Sequence, residues 1–253
     1  MSLEHIWAKQ AIWIGKETTS WTAVPAWFWI AKTWGWLNPE VEYKNDESGI
    51  GTIVTIRDSR KTKSWSKLEL EWILTSESLG LLLLSTLGKV WTVSADWTHT
   101  HKFEVDEKNT HTSLTVIEND DVVNNSDQSN QATYMMIDSL EIEANAWEYA
   151  TLKTSLIWRW ITEVTKQNTN FENENKFSFD DVKIKIVSAA NKAAAVTALA
   201  SATPLKLNRF RIALNKNLMQ NQELWSLDIA NIFNQNLTIE WDFESIYRDK
   251  TQY

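Results

Sequence analysis

The sequence predicts a mainly β protein, an antiparallel β-sandwich or barrel with one short docked α-helix and long surface loops. Several segments alternate apolar and charged residues with a period of two, which is typical of strands that have one face in water. A helix with both a start and a stop signal is predicted at about 76–87. Neither a linker nor an internal repeat divides the chain, so we expect a single domain over residues 1–253.

Strand-like alternation is clearest in four segments, 67–74, 139–144, 181–187 and 237–247. In the last of these, Leu237, Ile239 and Phe243 are expected to face the core, and the acidic residues between them to face away from it. Further strands are expected near 50–57, 90–96, 98–105, 112–118, 150–158 and 205–214.

The predicted helix is bounded by local signals at both ends. Thr75 or Ser76 can act as the N-cap, a leucine cluster follows, and Gly88 stands where helices commonly terminate. A second, alanine-rich stretch over 188–204 is interpreted as a short helix or a surface loop that Pro204 ends. The polar stretch at 119–131 is interpreted as a surface loop.

Composition limits the class of protein. The net charge is −8, so there is no overall basic surface of the kind that binds nucleic acid. The absence of cysteine excludes disulfides, thiolate zinc sites and cysteine nucleophiles. The N-terminus shows no signal peptide, and the longest apolar run, 79–84, is too short to span a bilayer. We therefore expect a soluble, unsecreted chain that makes no use of a membrane.

Residues that could carry chemistry are few. His99, His101 and His111 are the candidates for a metal cluster, but the stretch that holds the first two is typical of a polar strand face. Glu141 and Glu143 have the spacing of a solvated strand face rather than of a catalytic carboxylate pair. No nucleophile elbow, phosphate-binding loop or zinc-protease helix is present. We expect no enzymatic activity, no metal and no cofactor.

One basic run stands out in the acidic chain. Arg57, Arg60, Lys61 and Lys63 lie within 57–66, which is expected to be the loop of a long hairpin between the strands at 50–57 and 67–74. Such a loop is commonly only solvated. It is also a suitable partner for an acidic surface on another copy of the molecule, and it is our candidate for a subunit contact.

The tryptophan and glycine counts are both abnormal. The chain has 16 Trp and 6 Gly, whereas an ordinary protein has roughly 7% glycine, or about 18 residues at this length. No glycine follows Gly88, although strand-and-turn proteins need glycine where φ is positive. Tryptophan instead occupies contexts typical of glycine, as at Trp65, Trp97, Trp147 and Trp241.

These counts predict that most tryptophans correspond to TGA codons, which the source organism reads as glycine. The alternative is sixteen real indoles, each burying about 150–250 Å². If the codons are recoded, several tryptophans should be more exposed than such large apolar side chains usually are. TGG codons at these positions would favour the literal reading.

With glycine in place of tryptophan, residues 14–28 read IGKETTSGTAVPAGF. This segment resembles the start of the tail tube proteins, or major tail proteins, of long-tailed bacteriophages. Three further segments, 74–88, 134–160 and 214–249, resemble the family in the same order, with Trp147, Trp158, Trp225 and Trp241 where it shows glycine. Family members usually continue beyond the segment that matches 247–253, which leaves open a truncated C-terminus and an exposed edge strand.

The resemblance implies a structural role in the virion tail. It implies a β-sandwich or barrel flanked by a helix, hexameric rings that stack into a tube, and passage of DNA without specific binding. Assembly in the host cytoplasm and contacts with the tape measure and tail terminator proteins are also implied. An acidic lumen would not hold DNA, because neutralisation of phosphates produces non-specific binding. The leading candidates for that face are Glu141, Glu143, Glu240, Asp242 and Glu244.

Two other classes of function are compatible with a β-sandwich. A carbohydrate-binding module would use literal tryptophans as stacking platforms for sugars. A hydrolase would need carboxylates or histidines that converge on a pocket. Codon identity at the tryptophan positions separates the first of these from a tail tube protein.

Overall fold

The computed structural model describes residues 11–25, 28–47, 58–95, 98–119, 128–159, 161–171, 174–188 and 190–245. The predicted fold class is confirmed: the described residues are mainly β, with a large antiparallel sheet and two α-helices. None of the described helices is long and apolar enough to cross a membrane.

The large sheet has 11 strands and is bent along one long strand, β9 (Gln128–Asn145). The first half of β9 pairs within a first layer, and the second half pairs within a second layer. The first layer contains β1 (Ala11–Lys16), β2 (Phe28–Ile30), β8 (Leu114–Asn119) and β11 (Ile161–Thr165). The second contains β3 (Lys32–Trp34), β4 (Leu37–Asp46), β5 (Asp58–Ile73), β10 (Thr151–Trp158), β12 (Arg209–Asn215) and β15 (Thr238–Glu244).

Two smaller hairpins flank this sheet. The first is formed by β6 (Gly88–Ala95) and β7 (Thr98–Val105), and it lies against helix α1 (Ser76–Leu87). The second is formed by β13 (Met219–Gln222) and β14 (Ile229–Phe233). It buries Ile229 and Ile232 against Tyr134, Met136 and Ile157, and so covers part of the sheet.

The core combines apolar residues from both layers with helix α1. Ile14 and Val116 of the first layer join Leu68 and Leu140 of the second, and Leu82 of α1 is fully buried among them. Burial of a side chain such as Leu82 stabilises the fold by about 1.5–3 kcal/mol. Helix α1 therefore covers part of the sheet and helps to exclude water from the core.

Helix α1 lies at the predicted position. It follows Thr75 and ends at Gly88, whose φ of 91° is left-handed and whose N–H donates to Leu84 O. The alanine-rich stretch also forms a helix, α2 (Lys192–Ser201), in which Asn191 Oδ1 accepts from the N–H of Ala194 at 2.9 Å. Of the two interpretations of this stretch, a short helix or a surface loop, the helix is the one observed.

The prediction of a strand at 181–187 was wrong. The chain forms a short 3₁₀ turn at Phe179–Asp181, and the residues that follow pair with no described strand. A backbone hydrogen bond runs from Leu205 N–H to Ile184 O at 2.8 Å. Val182 packs against the core from this segment. Ile186 of the same alternating set is 55% exposed, so the alternation here corresponds neither to a strand nor to one buried face. The strand expected at 50–57 lies outside the described residues.

The prediction of a loop at 57–66 was also wrong for its described part. Residues 58–66 are the first half of β5, which is 16 residues long and pairs with β4 in a two-stranded ribbon. Both faces of this ribbon carry polar residues. The sequence therefore lacks the alternation of apolar and polar residues that would predict a strand, although β4 and β5 are paired along their length. Arg57 lies outside the described residues.

Candidate assembly surfaces

A face of charged side chains, which we call the charged face, crosses β10, β9, β12 and β15. The antiparallel register places Lys153 opposite Glu141, and Arg211 between Glu143 and Asp242. Directly paired residues point to the same side of a sheet. The charged face consists of Glu141, Glu143, Lys153, Arg209, Arg211, Glu240, Asp242 and Glu244.

Ion pairs connect these strands. Arg211 contacts Glu141 and also donates from Nη1 to Asp242 Oδ2 at 3.1 Å. Arg209 Nε donates to Glu143 Oε1 at 2.8 Å, and Lys153 Nζ lies 3.5 Å from Glu143 Oε2. Burial raises the pKa of Glu143, but Arg209 and Lys153 outweigh burial and hold that pKa below its ordinary value.

The acidic residues predicted to line a lumen therefore do share one face, but the face is not purely acidic. Basic strands alternate with acidic ones, because Arg209, Arg211 and Lys153 stand between the carboxylates. These cations were not among the residues predicted for this face. The i, i+2 spacing of Arg209 and Arg211 within an expected strand was the signal that could have found them. Excess negative charge remains on β15, where Glu240 and Glu244 are exposed.

The opposite face of β15 is apolar, and no described segment of the chain covers it fully. Ile239 is 52% and Phe243 48% exposed, and Trp241 stacks on Phe243 with ring centroids 5.7 Å apart. The prediction that Ile239 and Phe243 enter the core was thus wrong. Alternation identified the apolar face correctly, but β15 is an edge strand, and the core cluster of buried residues includes none of its side chains. We call this face, together with the side of β15 that pairs with no other described strand, the β15 edge.

The basic run lies on the ribbon formed by β4 and β5. Arg60 is paired with Lys44, Lys61 with Tyr43, and Lys63 with Glu42. Lys63 Nζ lies 4.7 Å from the ring centroid of Trp65, and Arg60 is exposed. The ribbon thus presents cations on a strand, in a more fixed arrangement than a loop provides.

The three histidines do not meet. His99 bonds to Ser94 Oγ at 2.9 Å and His101 to Thr92 Oγ1 at 3.0 Å, both across the β6–β7 hairpin. The ring of His111 instead lies between Thr86 O and Asp106 O near the end of α1. The described residues contain no cluster of three or more His, Asp or Glu suited to a metal ion.

A cavity of about 240 Å³ lies between β2 and the end of β5. Its lining is mainly apolar, with Phe28 and Trp72, and Glu174 is the carboxylate that reaches it. Lys176 and the hydroxyls of Thr75 and Ser78 complete its polar groups. This set provides no second carboxylate or histidine to work with Glu174 as a general acid and base.

Several tryptophans are exposed, as the recoding hypothesis predicted. Trp147 is 86% and Trp225 93% exposed. Trp34 and Trp36 are 47% and 53% exposed, and their rings lie 5.2 Å apart. Others are buried, including Trp158 at 0%, so the tryptophans do not form one common surface.

A family model described as phage tail tube protein matches residues 7–253. No curated protein matched the chain. The family match includes the strands of the charged face and the β15 edge, and it implies a structural role in a virion tail. Because it spans nearly the whole sequence, the chain belongs to the phage tail tube protein family.

Proposed function

We propose that this chain is the repeating subunit of a tube, in which hexameric rings stack and DNA passes through the lumen. The observation that carries this proposal is the β15 edge. Within the part of the chain that the structure describes, β15 pairs with β12 alone. A strand with one unpaired side and a half-exposed apolar face is a ready surface for association with another chain. In a tail tube protein, the partner that this surface fits is a second copy.

The second layer offers two different ends for such an association. β15 lies at one end, whereas β4 lies along β5 at the other. An interface between two different surfaces repeats head to tail, and it generates a ring when the rotation closes. Stacking of the rings requires a further contact, for which we propose the basic ribbon.

A direct test of ring formation changes the apolar face of β15. Replacing Ile239 and Phe243 with Ser should leave the monomer folded, because both side chains are about half exposed, while preventing assembly. Tube formation is followed by electron microscopy, and folding by circular dichroism. Replacing exposed Leu224 and Met219 with Ser provides the matched control. Normal tubes from the β15 variant would overturn the proposal.

The stacking contact is tested by charge reversal. Changing Arg60, Lys61 and Lys63 to Glu should leave the monomer folded and slow or abolish tube growth, because cations that face an acidic copy are lost. The control reverses three cations elsewhere, Lys102, Lys108 and Lys183. Tubes that grow at the normal rate from the ribbon variant would show that the ribbon is only solvated.

The lumen assignment is tested in assembled tubes. We propose that the charged face lines the lumen, with Glu240, Asp242 and Glu244 supplying its excess negative charge. Changing these three residues to Lys should cause the tube to retain DNA in a salt-sensitive way. The matched control changes Glu77, Glu107 and Glu163 to Lys. Unchanged DNA passage in the first variant would place the charged face outside the lumen.

The same proposal assigns location and partners. The subunit is assembled in the host cytoplasm and resides in the tail, where the tape measure and tail terminator proteins contact the tube. Pull-down of these two proteins with assembled tubes, but not with the β15 variant, is the expected result.

We further infer that most of the sixteen tryptophans are glycine in the natural polypeptide. Trp21 and Trp147 have φ of 71° and 73°, in the left-handed region that favours glycine. The indole nitrogens of buried Trp13 and Trp158 have no hydrogen-bond partner among the described residues, although buried Trp N–H groups usually have one. Mass spectrometry of peptides from native particles tests this inference. Indole at Trp65, Trp97, Trp147 and Trp241 would overturn it.

One observation favours a second function, carbohydrate binding. Trp34 and Trp36 are adjacent, exposed and inclined at 60°, an arrangement that can stack on a sugar. This function needs real indoles at both positions. TGG codons there, together with glycan binding that Trp34→Ala abolishes, would support it. TGA codons at these positions would leave only the tube function.

A further inference from the structure

The two ends of β5 carry different features. Arg60 lies near the start of the strand, on the ribbon that β5 forms with β4. The cavity that Glu174 reaches lies at the other end, where Trp72 and Ile73 line it. A strand rises about 3.3 Å per residue, so Arg60 and the cavity lie roughly 40 Å apart along β5. They therefore do not meet within one copy of the chain.

The carboxylate of Glu174 has an unused acceptor. The backbone beside it is fixed, because Ser76 N–H donates to Asn175 O at 3.2 Å and Thr75 forms an antiparallel bridge with Lys176. Oε2 of Glu174 is buried and has no hydrogen-bond partner among the described residues. The side chain of Lys176 is exposed and forms no ion pair with Glu174. Because an unpaired buried acceptor costs free energy, this oxygen favours a donor from another molecule.

The cavity itself suits a long side chain with a charged end. A cavity of about 150 Å³ can hold a benzene molecule, and this one measures about 240 Å³. Phe28, Ile30 and Phe171 form apolar walls, and Phe171 is 51% exposed, so the cavity opens to the surface beside its ring. Arginine matches these walls, because its stem is aliphatic and its planar guanidinium stacks on aromatic rings and bonds carboxylates through two donors.

Arg60 is an exposed cation in an unfavourable position within the monomer. It stands directly opposite Lys44, and like charges in opposed positions of a sheet repel each other. Lys44 has its own carboxylate, since its Nζ lies 3.6 Å from Glu42 Oε1. Arg60 forms no ion pair with any residue in the described part of the chain, Asp58 on the same strand included. A carboxylate from a second molecule would therefore stabilise Arg60.

We propose that Arg60 of one copy enters this cavity on a second copy and pairs there with Glu174. The inference rests on the proposed tube, and it names the acceptor that the basic ribbon meets in the stacking contact. Because Arg60 and Glu174 lie at opposite ends of β5, the contact runs head to tail and repeats from copy to copy. Trp29 and Trp72 also line the cavity, and glycine at either position would widen it without removing Glu174.

A charge exchange tests the pair. Arg60→Glu and Glu174→Arg should each raise the lowest protein concentration at which tubes grow by about tenfold or more, because each variant opposes two like charges. The variant that carries both changes should recover growth, since the ion pair is restored in the opposite sense. Electron microscopy and light scattering follow the growth, and circular dichroism establishes that each monomer is folded.

A matched variant tests whether recovery is specific. Glu163 is an exposed carboxylate on β11, away from the cavity. Glu163→Arg alone should leave growth unchanged, and Glu163→Arg together with Arg60→Glu should not restore it. Equal recovery with the change at Glu163 or at Glu174 would overturn the proposal, because net charge would then explain both results.

Photo-crosslinking tests the contact with both partners unchanged. The chain contains no cysteine, so Lys176→Cys places a single benzophenone maleimide label two residues from Glu174. A minority of labelled subunits is assembled with unlabelled chain and irradiated. Peptide mass spectrometry should find the label attached to the start of β5 or to the β4 residues opposite it, in another copy. Attachment only to other segments, or only within the labelled copy, would overturn the proposal.

These results separate this inference from the proposed function. Tubes that form from the unchanged chain but give no crosslink to the ribbon would remove the Arg60–Glu174 contact and leave the tube in place. Failure of the unchanged chain to form tubes would remove both.

Discussion

Arg211 of β12 donates a 3.1 Å hydrogen bond to Asp242 of β15, and its guanidinium also contacts Glu141 of β9. One side chain thus joins three neighbouring strands of the charged face. Both carboxylates raise the pKa of Arg211, so the guanidinium keeps its charge throughout the working pH range.

Replacing Arg211 with Met should reduce the free energy of unfolding by about 1 kcal/mol or less, because partly exposed ion pairs are screened by water. Urea denaturation measures this change, and Arg60→Met, an exposed cation on the ribbon, is the control. A loss of several kcal/mol would show that the contact is a buried structural link instead.

The two most exposed of the described tryptophans, Trp147 and Trp225, should respond oppositely to replacement by glycine. Trp147 has a φ of 73°, whereas Trp225 is not among the described residues with positive φ. Trp147→Gly should stabilise the chain by about 1 kcal/mol, since relief of left-handed strain exceeds the entropic cost of glycine. Trp225→Gly should destabilise it by about 0.5–1 kcal/mol. Thermal unfolding compares the two, and equal effects would contradict the role of the backbone.

Lys216→Met should stabilise the protein at neutral pH. The shift of the lysine pKa from 10.5 to about 7 corresponds to at most about 5 kcal/mol of cost. Loss of the bond to Ser85 O offsets about 1 kcal/mol, so we expect a gain of about 1–3 kcal/mol.

The pH profile provides a separate check on Lys216. The unchanged chain should lose stability as the pH falls from about 10.5 to about 7, because its folded state resists protonation of this amine. The Met variant should lack that slope. Lys108→Met, whose side chain is 76% exposed, is the control and should retain it.

The stability of the fold should fall when Glu17 loses its charge, even if the size of its side chain is kept. Its carboxylate accepts from the hydroxyls of Ser113 and Thr115, and from the backbone N–H groups of Tyr134 and Trp21. Tyr134 has a φ of 57° near the register shift between β8 and β9, so its N–H leaves the regular ladder and needs this acceptor.

Glu17→Gln should destabilise the fold by about 2–4 kcal/mol, because the amide NH₂ would face donors in a site where the side chain is buried. Chemical denaturation measures the change. Glu163→Gln on an exposed strand should have almost no effect, and a comparably small loss at Glu17 would mean that the donors find other acceptors.

Local signals in the sequence were sufficient for some elements. Thr75, the leucine cluster and Gly88 determine where α1 begins and ends, because caps act within one turn of a helix. Alternation similarly located the second half of β9, and the further strand expected near 150–158 is β10. Composition alone also raised the question of whether tryptophan stands for glycine. The structure ties this question to particular positions, because the backbone is left-handed at Trp21 and Trp147.

Only the tertiary structure decided which apolar faces are covered and which charges meet. Ile239 and Ile142 belong to equally good alternating patterns, but Ile142 packs against the core whereas Ile239 lies on an edge strand that the core does not reach. Arg211 lies 70 residues from Glu141 in sequence, and only the strand register brings them into contact. Periodicity is a property of one strand, while burial and ion pairing depend on neighbouring strands that the sequence pattern does not identify.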